Sequence, residues 1–290
     1  MRNFKNSKWR EQVAKVSEAI HENGIRFARL QFIDINGILK SLSVRTNDIE
    51  SIFENGQAFD GSSVTGYAPI EESDLVAYPD PSTFSIIPWR PKEKSTCRLI
   101  CDIYTPENRR FEGDPRLALE RAVEKCSQAG FIFKCAPELE FFLVKEQVGL
   151  TPTPIDLGGY FDLHPGDLTE DIRREIADTA EAFGIEIEIA HHETALGQNE
   201  IDFKYDEALT TADRAATMKM VTKSVAARNG YVATYMPKPF PNVNGSGMHV
   251  HESMWSLDGK KNLFFKSNQD SNYLSEIALH FIGGQLAHGR

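Results

Sequence analysis

The run His191-His-Glu-Thr-Ala-Leu-Gly-Gln-Asn-Glu200 places two imidazoles and two carboxylates within ten residues. It follows the alternating stretch Ile185-Glu-Ile-Glu-Ile-Ala190, which reads as a strand. A strand ending in His191-His192-Glu193, then a bend over Gly197-Gln-Asn-Glu200, returns Glu200 towards Glu193. A second acidic pair, Glu138-Leu-Glu140, precedes Phe-Phe-Leu-Val. Residues two apart in a strand face the same side, so both of its carboxylates meet one site. Convergent carboxylates from two such stretches form the oxygen-rich set that a hard divalent cation takes. On spacing alone, either pair also reads as a solvated strand face, and both histidines are open as ligands. A zinc-protease HExxH pair is excluded, because Leu196 stands where the second histidine belongs. A third stretch, Asn244-Gly-Ser-Gly-Met-His249, adds a glycine loop ending in an imidazole.

The elements that must position these groups follow from local signals. Val13, Val16, Ala19 and Ile20 recur at helical spacing up to a stop at Asn23-Gly24. Asn36-Gly37 between two apolar runs predicts a hairpin. A short helix is expected from Asn47-Asp48 to Asn55-Gly56, and Asp60-Gly-Ser-Ser63 reads as a turn. Glu71-Glu-Ser-Asp-Leu75 and Tyr78-Pro-Asp-Pro81 read as surface loop, and Cys97 to Tyr104 as a strand. The loop Thr105 to Arg110 places a domain boundary near residue 110, giving domains 1–110 and 111–290. Asp114-Pro115 starts a helix that ends at Ala129-Gly130. One or two strands are expected over 131–144, a loop at Leu157 to Asp162, and a helix from Asp171 to Phe183 ended by Gly184. A long helix covers Thr211 to Arg228, its Met and Ala stripe belonging to the core, and a strand covers Tyr231 to Pro237. Gly245-Ser-Gly247 lacks the third glycine of a dinucleotide fingerprint, and there is no Walker A run. Any nucleotide is therefore held by metals and side chains.

Composition sets the outer limits. With 41% hydrophobic and 26% charged residues the chain is ordinary globular protein, long enough at 290 residues for two domains or one large one. Its formal charge of −10, from 42 acids against 32 bases, argues against nucleic-acid binding and suits a cation-binding protein. No apolar run approaches the ~20 residues of a membrane span. The basic start MRNFKNSKWREQ has no apolar segment of a signal peptide. Cys97, Cys101, Cys126 and Cys135 form no CxxC pair, so free thiols in a reducing cytosol, and a cytoplasmic protein, are expected.

The three chemistry-bearing stretches, in their order and separations, resemble the catalytic core of a type I glutamine synthetase of archaeal or bacterial kind. The resemblance implies an α+β fold: a small N-terminal β-grasp-like domain and a larger catalytic domain with a curved antiparallel half-barrel sheet backed by helices. It implies ligation of ammonia to L-glutamate with ATP as substrate and two or more Mg2+ or Mn2+ ions per site. One metal would take Glu140, Glu193 and Glu200, the other Glu138 and His249, leaving His191 and His192 structural. Asn244 and Gly245 would hold glutamate. Glu188, Tyr205, His251 and Ser253 match nucleotide contacts, and Tyr160 lies beside an ammonium pocket. Asp60, in the Asp-Gly-Ser-Ser loop, would reach a neighbouring subunit's site and take the proton of ammonium. The family's homo-oligomers are dodecamers of two hexameric rings with sites between subunits.

The pattern departs from the family in places. Leu139 replaces a usual proline between the two glutamates, a side chain pointing away from the metals. Pro69 falls where members inhibited by glutamine carry an arginine, so that mode of inhibition is not expected. The chain stops at Arg290, where the family continues for another third with the second metal's last glutamate, substrate-binding arginines, an acidic flap and, in some members, an adenylylated tyrosine. This piece alone is therefore expected to be inactive or nearly so. Other readings are a γ-glutamyl-amine ligase of the same superfamily and a non-catalytic regulatory paralogue, whose metal ligands should have decayed. A metal-dependent hydrolase lacks the open zinc site it needs.

Overall fold

The computed structural model describes residues 6–70, 73–145, 152–267 and 273–289. They fall into two compact units, one of Met1–Ala118, Glu175–Glu186 and Ala216–Val221, the other of Leu119–Arg174, Ile187–Ala215 and Thr222–Arg290. Among the described residues no helix is long and apolar enough to cross a membrane.

Helix α1 (Ser7–Glu22) is capped by the Asn6 side chain, which accepts from the Trp9 amide at 2.7 Å. Gly24, at φ +57°, turns the chain out of it. Strands β1 (Phe27–Ile33) and β2 (Leu39–Arg45) form the hairpin expected at Asn36-Gly37. Asp34 fixes its loop by accepting from the amides of Asn36 and Ile38, both at 2.9 Å. Helix α2 (Ile49–Asn55) leads to β3 (Gln57–Asp60).

The next segment corrects the expected surface loop. Asp74–Pro79 is strand β4, lying between β3 and β6 (Thr96–Tyr104), with β5 (Ser85–Ile86) pairing on β6. The proline and aspartate suggested loop, but Leu75 and Ala77 alternate inward and Pro79 sits at the strand's last position. Glu71 and Glu72 lie outside the described residues. The sheet order is β2-β1-β6-β4-β3, with β1 parallel to β6. Leu30, Phe53, Leu99 and Ile103 are fully buried on its core side. One edge of this unit is held by Arg116, buried between Asp102 and Asp80, with Asp80 at 3.0 Å.

In the second unit everything hangs on one strand. After α3 (Pro115–Gln128), whose first turn is closed by Asp114 accepting from the Arg116 amide at 3.0 Å, β7 (Phe131–Lys145) runs 15 residues without a break. The chain continues through β8 (Thr153–Pro154), α4 (Glu170–Glu181), β9 (Ile187–His192), β10 (Gln198–Phe203), β11 (Asp206–Glu207), α5 (Ala208–Arg228), β12 (Tyr231–Thr234), β13 (Val250–Ser256) and α6 (Glu276–His288), with Glu175–Glu186 and Ala216–Val221 counted in the first unit. One edge of β7 pairs with β13 and then β12, the other with β11, β10 and β8, while β9 adds outside β10. All these pairings are antiparallel. Twist accumulates along so long a strand, so the sheet curls into a half-barrel. The α5 stripe of Met218, Val221 and Val225 is buried, as its spacing predicted. The strand from Tyr231 ends at Thr234, not Pro237, because the Thr234 hydroxyl accepts from the Met236 amide at 3.1 Å and turns the chain.

Candidate active site

The β7–β10 ladder decides the chemistry. Leu139 pairs with Ile201, and both are buried, so their neighbours face the opposite side. Those neighbours are carboxylates in cross-strand register: Glu138 opposite Asp202, and Glu140 opposite Glu200. Like charges directly opposite one another are destabilising, so two such pairs in succession need a counter-charge. Of the bend expected over Gly197-Gln-Asn-Glu200, only Gly197 belongs to it: the bend lies at residues 194–197, and Gln198 to Glu200 start β10. Gly197 makes it possible, with φ +67° and the Leu143 carbonyl 2.8 Å from where a Cβ would stand.

The hairpin returns Glu193 beside Glu200. The Glu193 amide donates to the Gln198 carbonyl at 2.8 Å, and its carboxylate accepts from the Thr194 amide at 2.7 Å. His191, opposite Glu200 on β9, sits between the two, with Nδ1 3.8 Å from Glu193 and Nε2 3.8 Å from Glu200. Strand β13 and the residue just before it bring two further imidazoles. His249 Nδ1 lies 2.9 Å from Glu138 Oε2, and His251 Nε2 hydrogen-bonds Glu138 Oε1.

The electrostatics follow. Burial, with the charges of Asp202 and Glu193, pushes the Glu200 carboxyl up to about 9. Burial and Glu138 push Asp202 up to about 6. Burial also raises Glu140, against a hydrogen bond from the Gly247 amide. Glu138 is held below its ordinary value by its hydrogen bond to His251. Glu200 is only 6% exposed, and among the described residues the nearest nitrogen base is His191, with Nε2 at 3.8 Å. Oδ1 of Asp202 is shut from solvent with no hydrogen-bond partner among the described residues. Crowded carboxylate oxygens with adjoining imidazole fit a divalent cation.

His192 plays a different part. Its Nε2 bonds Asp156 at 3.0 Å and its Nδ1 the Glu193 carbonyl at 2.7 Å. Asp156 also accepts from the amides of Gly197 at 2.9 Å and Leu168 at 3.0 Å, and Asp167 is paired with Arg173. This buried network braces the hairpin that carries Glu193.

Gln198 ties the acidic face to the glycine loop. It is buried, and its amide nitrogen reaches Glu140 Oε2 at 2.8 Å and the Gly245 carbonyl at 3.2 Å. Its oxygen accepts from the Ala195 amide at 3.0 Å. A Cβ at Gly245 would collide with the Pro237 carbonyl oxygen, and one at Gly247 would stand 2.9 Å from Glu140. Asn244 and Gly245 are exposed beside it.

Glu188, Tyr205, His251 and Ser253, from β9, the β10 exit and β13, line one cleft of about 590 Å3 together with Glu138 and Asp202. Tyr205 stacks on Trp255 at 6.0 Å and 18°, and Lys134 Nζ stands 4.8 Å from the Trp255 ring. Two parallel rings with an ammonium group make a platform for a flat, anionic ligand. Tyr160 is half exposed, stacked on Phe161 at 4.0 Å and edge-on to His191 at 5.4 Å. Asp60 belongs to the first unit, exposed at the end of β3. The Ser62 hydroxyl at 2.6 Å and amide at 2.8 Å hold its carboxyl below the ordinary range.

Sequence reading passed over Gln198, Asp202, Lys134 and Trp255. Gln198, Glu200 and Asp202 fall two apart, the same period that grouped Glu138 with Glu140, so the first two were within reach. Lys134 and Trp255 carry no sequence signal, because β7 and β13 bring them together across more than a hundred residues.

Two family models match, the glutamine synthetase beta-Grasp domain over residues 24–106 and the glutamine synthetase catalytic domain over residues 112–290. The glutamine synthetase of Thermotoga maritima is 46% identical over 280 residues, covering 96% of this chain and 63% of the relative. That of Methanosarcina mazei is 46% identical over 277 residues, covering 95% and 61%. Among solved structures, a GmaS chain in complex with ADP matches with TM-score 0.86 at 32% identity, over 94% of this chain and 63% of that one. The cryo-EM structure of Plasmodium falciparum glutamine synthetase matches with TM-score 0.88, over 96% and 60%, and at 24% identity this supports the fold alone. The chain thus spans about three fifths of the curated relatives it matches. Matched in both its β-grasp and its catalytic portions, and close to half identical to such relatives, the chain belongs to the glutamine synthetase family.

Proposed function

We propose that the protein joins ammonia to L-glutamate using ATP, giving glutamine, ADP and phosphate through γ-glutamyl phosphate. The observation that carries this reading is the face of Glu138, Glu140, Glu193, Glu200 and Asp202 beside a cleft lined by Glu188, Tyr205, His251 and Ser253. A carboxylate cannot lose oxide to ammonia, so its oxygen must first become part of a phosphate leaving group. Glu140, Glu193 and Glu200 would hold one Mg2+ or Mn2+, and Glu138 with His249 a second. When bound, these ions neutralise charge on the nucleotide phosphates and the transferring phosphoryl group.

The chain's own groups do the positioning. Tyr205 and Trp255 stack the base, with His251 and Ser253 at the cleft wall. Gln198 fixes Glu140 and the Gly245 carbonyl together, so the metal face and the glutamate-binding loop of Asn244 and Gly245 keep one spacing. Glycine at 245 lets that loop pass against Pro237. The Tyr160 phenol lies at the ammonium side, next to His191. Asp60 of a neighbouring subunit, kept ionised by Ser62, takes the proton from ammonium to leave nucleophilic ammonia. This arrangement requires a homo-oligomer, for which the dodecamer of two hexameric rings is the proposed form, in the cytoplasm. The domains are 1–110 and 111–290.

The test is glutamine formation from glutamate, ATP and ammonium with Mg2+, on this chain and on the protein at the length of its relatives. Ammonium-dependent product in the long form supports the reading. Product only with a larger amine would make it a γ-glutamyl-amine ligase. No product from either, with Mn2+ binding intact, would make it a non-catalytic paralogue.

A further inference from the structure

We propose that Asp202 is a metal ligand, forming with His191 and Glu200 a further cation position on the nucleotide side of the acidic face. The position goes beyond the two assigned above and depends on the metal face, not on the reaction.

Three observations carry it. One ligand atom from each of His191, Glu200 and Asp202 lies within 4.8 Å of the others. Ligand atoms on one Mg2+ ion stand about 3 to 4.2 Å apart, so side-chain adjustments of about an ångström or two close the set. Second, the buried Glu200 carboxylate lies opposite Glu140 in the ladder, and Asp202 Oδ1 is shut from solvent without a donor among the described residues. Third, Asp202 lines the cleft with Glu138, His251 and Ser253, where a nucleotide's phosphates need counter-charge. Glu200 then bridges this position and the one it forms with Glu140 and Glu193. His191, positioned against both Glu193 and Glu200, thereby gains a ligand role in addition to packing against Tyr160 and Phe161.

The test is calorimetric titration of Mn2+ alone, checked by the electron paramagnetic resonance of free Mn2+, on the wild-type chain and on D202N, E140Q and D171N. Asp171 is a fully exposed acid on α4, so D171N serves as the unchanged control. D202N is expected to lose one bound Mn2+, or to weaken it at least about tenfold. It should also fold and melt no lower than wild type in chelator, since it removes a like charge opposite Glu138. Wild-type stoichiometry and affinity in D202N would overturn the proposal, and so would a D202N that fails to fold. If E140Q loses an ion and D202N does not, only this inference fails. If neither does, the metal assignment behind the proposed function fails too.

Discussion

Replacing Glu200 by glutamine should make the metal-free protein more stable and remove much of its response to Mg2+. Burial beside Asp202 and Glu193 raises the Glu200 carboxyl from an ordinary 4.5 to about 9. A raised carboxyl binds its proton more tightly in the native state. Below about pH 4.5 both states are protonated and nothing is lost. Between about pH 4.5 and 9 the unfolded chain ionises first, and stability falls as pH rises. The full penalty is on the order of 6 kcal/mol, of which roughly 4 kcal/mol has accrued by pH 7.5. Asp202 and Glu193 share this repulsion, so E200Q should recover about 2–4 kcal/mol, or roughly 5–10 °C in melting temperature. The assay is thermal unfolding followed by circular dichroism, in chelator and in millimolar Mg2+, across this pH range. In chelator, wild type should melt lower as pH rises while E200Q changes much less, and Mg2+ should lift the wild type selectively. A pH-independent wild type in chelator, or an E200Q that melts lower there, would refute the reasoning.

Other expectations rest on single contacts. Gly245→Ala, forced against the Pro237 backbone carbonyl, should weaken glutamate binding in the long protein at least about tenfold and also lower the melting temperature, since a backbone atom must shift; calorimetry and unfolding read the two separately. Arg116→Leu removes the guanidinium shared by buried Asp80 and Asp102, leaving Asp102 with Arg110 at 3.5 Å and Asp80 with the Ser82 donors, and should cost about 2–4 kcal/mol in denaturant unfolding. Tyr205→Ala removes one plate of the stack with Trp255 and should weaken ADP binding by about 1–3 kcal/mol, roughly tenfold or more, with Mn2+ affinity unchanged.

How far the sequence speaks depends on the range of the interaction. Asn36-Gly37 dictates a hairpin locally, Asp114-Pro115 starts a helix locally, and the structure has both. The period of two put Glu138 and Glu140 on one face without knowledge of the partner strand. The bend misplaced onto Gln198-Asn199-Glu200 shows the limit: those residues extend because β7, far away in sequence, offers Phe142, Phe141 and Glu140 to pair with. Asp202 became conspicuous only when that register set it opposite Glu138. Strand β4 was hidden by a proline and an aspartate at its end, although Leu75 and Ala77 alternated correctly. The Lys134, Tyr205 and Trp255 platform is purely tertiary, since each of those side chains is unremarkable in its own segment.

The central claim is that a glutamate γ-carboxylate oxygen passes to phosphate. The most direct test gives the long protein glutamate labelled with 18O in both γ-carboxylate oxygens, together with ATP, ammonium and Mg2+, and weighs the phosphate released by mass spectrometry. Activation through γ-glutamyl phosphate predicts one 18O atom in each phosphate and one in each glutamine. Unlabelled phosphate formed alongside glutamine would contradict the account, because the carboxylate would then have reacted without becoming an acyl phosphate.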